Sequence, residues 1–296
     1  MTTHQDTGKH RTNTHDQFYT SDAVAKQCVQ WIITAVSVVD DYTWIEPSAG
    51  TGAFLHQLPP EFTKIGLDID PKNNDIIKQD YLSWNPDTAA PKKKGIIVFG
   101  NPPFGRQSSL AKAFIVKSCS FANFIAFILP KSFTKPSMYN AFHPSFHMIF
   151  SKELDKNAFI INGGAKYDVP CVFQIWEKRA TERPKDEKVA PIGFEYIAAA
   201  CAATTPSPCP STFALRRVGG LAGKCYTDTA NRSTQSHYFI RFNDTVSPAH
   251  HADIIEKINK HTFPSNTVGP RSLSKSEVNV VLNQIIAEAT ATATAQ

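Results

Sequence analysis

Apolar positions along the chain change their spacing several times, and each change predicts an element. From Ser21 onward Ala23, Val24, Cys28, Val29, Ile32, Ile33 and Val36 recur at steps of three and four, the period of an amphipathic helix with Ser21 or Thr20 as its cap. Short apolar, β-branched runs then follow at 43–45, 65–69, 95–99 and 124–129, each closed by turn residues. Such runs read as parallel strands buried on both faces. The stretches 53–58 and 110–120 between them predict crossover helices. Strand alternating with helix argues for a doubly wound α/β sheet.

The pattern then changes, because 148–150, 158–161 and 170–176 are extended runs with no helical period between them. An antiparallel edge suits them better than another crossover. Residues 181–191 turn charged and proline-bearing and 198–211 are rich in Ala, Thr, Ser and Pro, so 181–211 reads as a linker. Beyond it, strand patterns at 212–218 and 237–242 flank a loop with Gly219, Gly220 and Gly223, and helical spacing returns at 252–258 and 277–286. These predict a small C-terminal α+β domain over 212–288. Residues 1–16 read as a polar arm, 17–180 as the main domain and 289–296 as a disordered tail.

A length of 296 residues, 42% of them hydrophobic, suits two cores of this kind. The apolar run 121–129 is interrupted by Asn123 and is far shorter than the ~20 residues of a membrane span. Residues 1–16 hold no apolar signal core, so a cytoplasmic protein is expected. The six cysteines are scattered with no C-x-x-C pair, which predicts reduced thiols and no metal site. Net charge is 31 minus 26, or +5, a bias toward anionic partners.

Four places carry chemistry. Trp44-Ile45-Glu46-Pro47-Ser48-Ala49-Gly50-Thr51-Gly52 runs from a strand into a glycine-rich turn, where a ligand can approach the backbone closely. A dinucleotide fingerprint would need a further glycine at position 55, which is leucine, and the acid before the turn also argues against nicotinamide. At the end of the next strand, in Asp68-Ile69-Asp70, Asp68 is placed to accept hydrogen bonds from a ribose diol, though Asp is also ordinary turn chemistry there. Gln79-Asp80-Tyr81-Leu82 follows another apolar stretch, with a solvated loop as its other reading. The fourth is Asn101-Pro102-Pro103-Phe104 after the 95–99 strand. Proline lacks an N–H, so this segment offers carbonyl oxygens and an amide as acceptors beside an aromatic ring, an arrangement suited to a planar NH₂ group.

In that order these motifs resemble the S-adenosylmethionine-dependent N6-adenine methyltransferases, over about residues 17–177. The resemblance implies a class I, Rossmann-like fold: a mostly parallel seven-stranded sheet ending in an antiparallel hairpin. It also implies roles for individual residues. Phe18, Tyr19 and Thr20 close over the cofactor, Glu46, Pro47, Ala49, Gly50 and Gly52 hold its methionine part, and Asp68 with Ile69 takes the ribose. Asp80 with Tyr81 or Leu82 takes the adenine; Asn101 and the Pro102 carbonyl hold the target amine, with Pro103 fixing the turn and Phe104 stacking on the base. The FYT segment and the C-terminal addition resemble the DNA enzymes of the gamma arrangement, which favours DNA over RNA, although NPPF also occurs in RNA-modifying relatives. A protein-glutamine methyltransferase and an inactive nucleic-acid-binding subunit are the other readings.

Residues 212–242 carry Arg216, Arg217, Lys224, Arg232 and Arg241 against Asp228 alone, five minus one or +4. With Tyr226, His237 and Tyr238 they suit phosphates and bases, or equally a solvated hairpin face over core aromatics.

Overall fold

The computed structural model describes residues 19–37, 39–86, 94–160, 166–184, 188–198, 212–267 and 270–291. Phe18, the 1–16 arm, residues 87–93, most of the 198–211 stretch and residues 292–296 lie outside them. The chain divides into two compact units, one up to residue 186 and one from residue 187.

The first unit opens with β1 (Tyr19–Thr20) and α1 (Asp22–Ala35), the helix that the three-and-four spacing predicts. Ser21 stands at its N-cap but makes no side-chain cap bond. Its N–H donates instead to the Ala158 carbonyl at 3.1 Å. Then come β2 (Tyr42–Glu46), β3 (Lys64–Asp68), β4 (Ile77–Lys78), β5 (Gly95–Gly100), α2 (Ser109–Cys119) and β6 (Phe124–Pro130). A short α3 (Pro136–Tyr139) precedes β7 (Phe146–Glu153), followed by β8 (Phe159–Ile160), β9 (Lys166–Tyr167) and β10 (Cys171–Lys178).

Seven of these strands form one sheet in the order β4-β3-β2-β5-β6-β10-β7. The pairs from β4 through β6 are parallel, and β10 is antiparallel to both β6 and β7. This is the doubly wound, mostly parallel sheet with an antiparallel terminal hairpin that the sequence predicts. Its central strands alternate between two cores. Trp44, Ile97, Phe99, Ala126 and Ile128 pack on the α1 side, whereas Ile45, Val98, Ile125, Phe127 and Leu129 pack with Phe114 and Ile115 of α2. Burying each large side chain contributes ~1.5–3 kcal/mol, which fixes strand register against a one-residue slip.

Four expectations are corrected in this unit and the next. The stretch 53–58 is not a crossover helix: a run of turns leads into a single 3-10 turn, Leu55–Gln57. Leu58 is extended (ψ 140°) because it precedes Pro59, and the residue before proline is driven from helical geometry. The described part of the 158–161 run, up to Ile160, does not extend the main sheet; β8 pairs with β1 (Tyr19↔Ile160) and with β9 in a separate three-stranded sheet. The 181–211 stretch is not wholly a linker, since β11 (Phe194–Ile197) belongs to the second unit's sheet, its alternate residue Phe194 buried there.

That sheet has the antiparallel order β11-β14-β12-β13, from β12 (Thr212–Arg216), β13 (Cys225–Tyr226) and β14 (His237–Phe242). Helices α4 (Pro248–Lys260) and α5 (Lys275–Ala291) pack Ile254, Ile258, Val278 and Leu282 against Phe213, Leu215 and Ile240. The expected tail is also corrected at 289–291, which continue α5 with Ala289 buried in this core. Among the described residues no helix is long and apolar enough to cross a membrane, and no cluster of His, Cys, Asp and Glu could hold a metal ion.

Candidate active site

The chain leaves β2 in one direction to form β3 and β4, then returns to the other side of β2 to form β5 and β6. The carboxyl ends of β2 and β5 therefore flank the switch point of the sheet, where such folds open a crevice. The glycine turn follows β2 and Asn101-Pro102-Pro103-Phe104 follows β5, so both motifs stand at that crevice. A cavity of about 620 Å³ lies there.

The cavity gathers Tyr19, Thr20, Glu46, Pro47, Ala49, Gly50, Asp68, Ile69, Asp80, Tyr81, Asn101, Pro102, Pro103 and Phe104, residues named from the sequence. Gly52 is not in its wall; at φ +87° it shapes the turn, its N–H donating to the Ala49 carbonyl at 2.7 Å. Arg216, Arg217, Lys224 and Arg232 belong to the second unit.

Five contacts assemble the crevice. Asp68 accepts the Gly50 N–H at 2.7 Å and the Asp70 N–H at 2.8 Å, clamping the glycine turn to the end of β3. Asp70 in turn pairs with Lys72, whose N–H donates to the Gly50 carbonyl at 2.9 Å. The Ser48 hydroxyl donates to the Asn101 carbonyl at 3.0 Å, so the glycine turn is joined to the Asn-Pro-Pro-Phe segment.

Glu46 is 2% exposed, and its carboxyl accepts the Leu55 N–H at 3.2 Å. Burial, with the nearby Asp68 charge adding to it, pushes this carboxyl well above the usual carboxylate range, against the lowering effect of the Leu55 bond. It packs under Gly100, where φ is +126° and a Cβ would come within 3.1 Å of Glu46 Cγ. Gly50 is as constrained: at φ +54°, a Cβ there would meet the Tyr19 ring at 3.2 Å. The β1–β8 pairing thus seats Tyr19 directly over the glycine turn.

Thr20 is 7% exposed, and its buried hydroxyl, at the cavity wall, has no hydrogen-bond partner among the described residues. Ile69, 61% exposed, presents an open apolar side chain at the same wall. Asp80 accepts the Leu82 N–H at 2.9 Å, holding the turn that brings Leu82 to the wall. Tyr81 lines the cavity, yet its ring is buried against Trp84, Phe114 and Phe121 and its hydroxyl bonds to Ser118 at 2.7 Å, so the tyrosine braces the turn from below.

Several wall residues escaped the sequence reading. Ser48 lies inside the glycine turn and its polarity was the available signal, while Arg106 follows the tetrapeptide after Gly105. Gln107 and Ser108 both adopt left-handed backbone (φ 54° and 60°), a strained turn between Phe104 and α2. Leu110 and Phe114 reach the cavity from the first turns of that helix.

No family model matches the sequence, and no curated protein matches it. Solved structures align with it at low identity. An RNA methyltransferase candidate from Pyrococcus horikoshii is 15% identical with a TM-score of 0.43, over 58% of this chain and 92% of that one. A class I S-adenosylmethionine-dependent methyltransferase candidate from Listeria monocytogenes is 14% identical, TM-score 0.43, over 60% and 66% of the two chains. The magnesium protoporphyrin IX methyltransferase of Synechocystis, solved with bound SAM, is 10% identical, TM-score 0.38, over 53% and 79%.

Proposed function

We propose that the protein is an S-adenosylmethionine-dependent methyltransferase that methylates the exocyclic N6 amine of adenine in DNA. The observation that carries this reading is the junction of the two turns: the Ser48–Asn101 hydrogen bond joins a glycine turn to an Asn-Pro-Pro-Phe segment within one cavity.

The wall fits the cofactor group by group. The buried Glu46 carboxyl suits an ammonium, the unpartnered Thr20 hydroxyl a carboxylate, Asp68 a ribose diol, and the exposed Ile69 with Leu82 the faces of an adenine ring. When bound, the cofactor supplies a methyl group already activated by its sulfonium.

The chain's own work is positioning. Asn101 Oδ1 and the Pro102 carbonyl accept the two hydrogens of the target amine, which turns the nitrogen lone pair toward the methyl carbon. A sulfonium methyl, once bound there, would need no strong base for transfer, since the amine nitrogen would shed its proton only afterwards, and the chain is left the task of orientation. Phe104, half-buried at the wall, stacks on the base. A duplex base must leave its stack at a cost of roughly a few kcal/mol. Stacking on Phe104, ~1–3 kcal/mol, offsets part of that cost. The basic residues at the end of β12 and in the loops on either side of β13 support a polynucleotide rather than a small-molecule acceptor.

The test is transfer of labelled methyl from the cofactor in parallel DNA and RNA arms. Label in DNA is expected. Label in RNA alone would move the substrate to RNA, and label in neither would overturn the reading.

A further inference from the structure

The second unit holds a cluster in which two of the basic residues noted above surround a histidine that the methyl-transfer step does not use. Arg216 on β12 and His237 on β14 are direct cross-strand partners. Tyr226 on β13 meets the His237 ring edge-on, with centroids 5.8 Å apart, and the Arg232 guanidinium lies 4.0 Å from the Tyr226 ring centroid. Two strands and a loop thus bring two guanidinium groups around one imidazole.

The imidazole is the unusual member. His237 is 6% exposed. Its Nδ1 lies 3.2 Å from the Ser233 carbonyl, which can only accept, so Nδ1 carries the hydrogen; the Ser236 hydroxyl is 3.0 Å from the same nitrogen. Nε2 is therefore a bare acceptor, and it is buried with no hydrogen-bond partner among the described residues. Burial pushes the pKa of His237 down, against the Ser233 bond, and the Arg216 and Arg232 charges push it further down.

The arginines are held by one edge. Arg216 donates its Nε–H to the Val218 carbonyl at 3.0 Å, and Arg232 donates its own to the Asp228 carbonyl at 3.1 Å. The acid facing the cluster is Asp228, 3.9 Å from Arg232 and 66% exposed at its carboxylate. Two oriented cations beside a desolvated, neutral histidine form a site that an anion completes, because an anion satisfies the guanidinium groups and lets Nε2 take up a proton and donate it.

We propose that Arg216, Arg232 and His237 form a phosphate-binding site for the phosphodiester backbone of a nucleic acid, and that occupancy draws one proton from solvent onto His237 Nε2. The identity of the natural ligand rests on the nucleic-acid reading above, whereas the anion site and its proton linkage rest on this cluster alone. The sign follows from linkage: between the free and bound pKa values of His237, affinity rises as pH falls, by about tenfold per pH unit for one linked proton.

The test uses the full chain and a short oligothymidylate, which contains no adenine and whose charge is constant between pH 5.5 and 8, roughly the span in which histidine titrates. Binding is followed by calorimetry across that span, and the His237 ring nitrogens by NMR. The expected result is that the oligonucleotide raises the His237 pKa and binds about tenfold tighter per unit fall in pH. His237→Gln should lose that pH slope, and Arg232→Ala, its fold checked by an unchanged thermal melt, should weaken binding about tenfold or more. Unmoved His237 signals at saturation, or unchanged affinity in Arg232→Ala, would overturn the site. Sulfate binding as tightly as the oligonucleotide would overturn the nucleic-acid assignment. Because none of these readouts is methyl transfer, failure of the catalytic reading and failure of this site are separable.

Discussion

Thr20 and Glu46 are each poorly satisfied in the free protein, and each predicts a stability change opposite in sign to its effect on binding. Removing the buried, unpartnered Thr20 hydroxyl by Thr20→Val should stabilise the free protein by about 1–3 kcal/mol and weaken cofactor affinity about tenfold, read by thermal denaturation and calorimetry. Loss of stability without loss of affinity would make the hydroxyl purely structural. For Glu46 the folded state holds the proton more tightly than the unfolded chain, so its contribution to stability is full below the ordinary carboxylate value and declines as pH rises from there. The Tm advantage of Glu46→Gln over the natural protein should therefore grow as pH rises, while the variant binds the cofactor more weakly. A constant Tm difference across pH would contradict the raised pKa. Asn101→Ala should keep cofactor affinity and lower kcat about 10²–10³-fold, the cost of losing one preorganised polar contact to the reacting group. At this scale much of the candidate site was legible, because Glu46 and Asn101 sit at strand ends beside glycine or proline and Asp68 closes β3. Arg106 was not, since an arginine in a polar loop has no signature until the fold brings it to the wall.

At the scale of elements, hydrophobic spacing located α1 and the central strands because both faces of the sheet are buried and the runs are continuous. It failed where a local rule outweighed spacing, as with Leu58 before Pro59, and where a strand is too short to show a period, as with β4, β9 and β13. The pairing of β1 with β8 was equally invisible, since two residues from each side of 138 intervening positions carry no shared pattern. The end of β5 gives an element-level prediction. Gly100→Ala places a Cβ against Glu46 in a backbone conformation that L residues rarely adopt, so it should cost roughly 1–3 kcal/mol of stability. Glu46 and Asn101 should be displaced together, lowering cofactor affinity and kcat at once, in contrast to the separation expected for Asn101→Ala. An Ala variant that loses turnover alone would show that Gly100 does not couple the two turns.

For the whole molecule, the chain's reversal about β2 makes one crevice serve both motifs, and the second unit supplies a sheet with a basic cluster of its own. Length and composition suggest two units; the compact units divide near residue 187, within the charged 181–191 stretch, whereas the expected linker runs on to 211 because β11 lies between that stretch and the Ala- and Thr-rich one. The central claim is a statement about one atom of one base. It is tested most directly by digesting methylated DNA to nucleosides and identifying the product by mass spectrometry against standards. The account predicts N6-methyldeoxyadenosine, absent when Asn101→Ala replaces the natural protein. A methyl group on cytosine, on a ring nitrogen of adenine, or equally abundant with the Asn101 variant would contradict it.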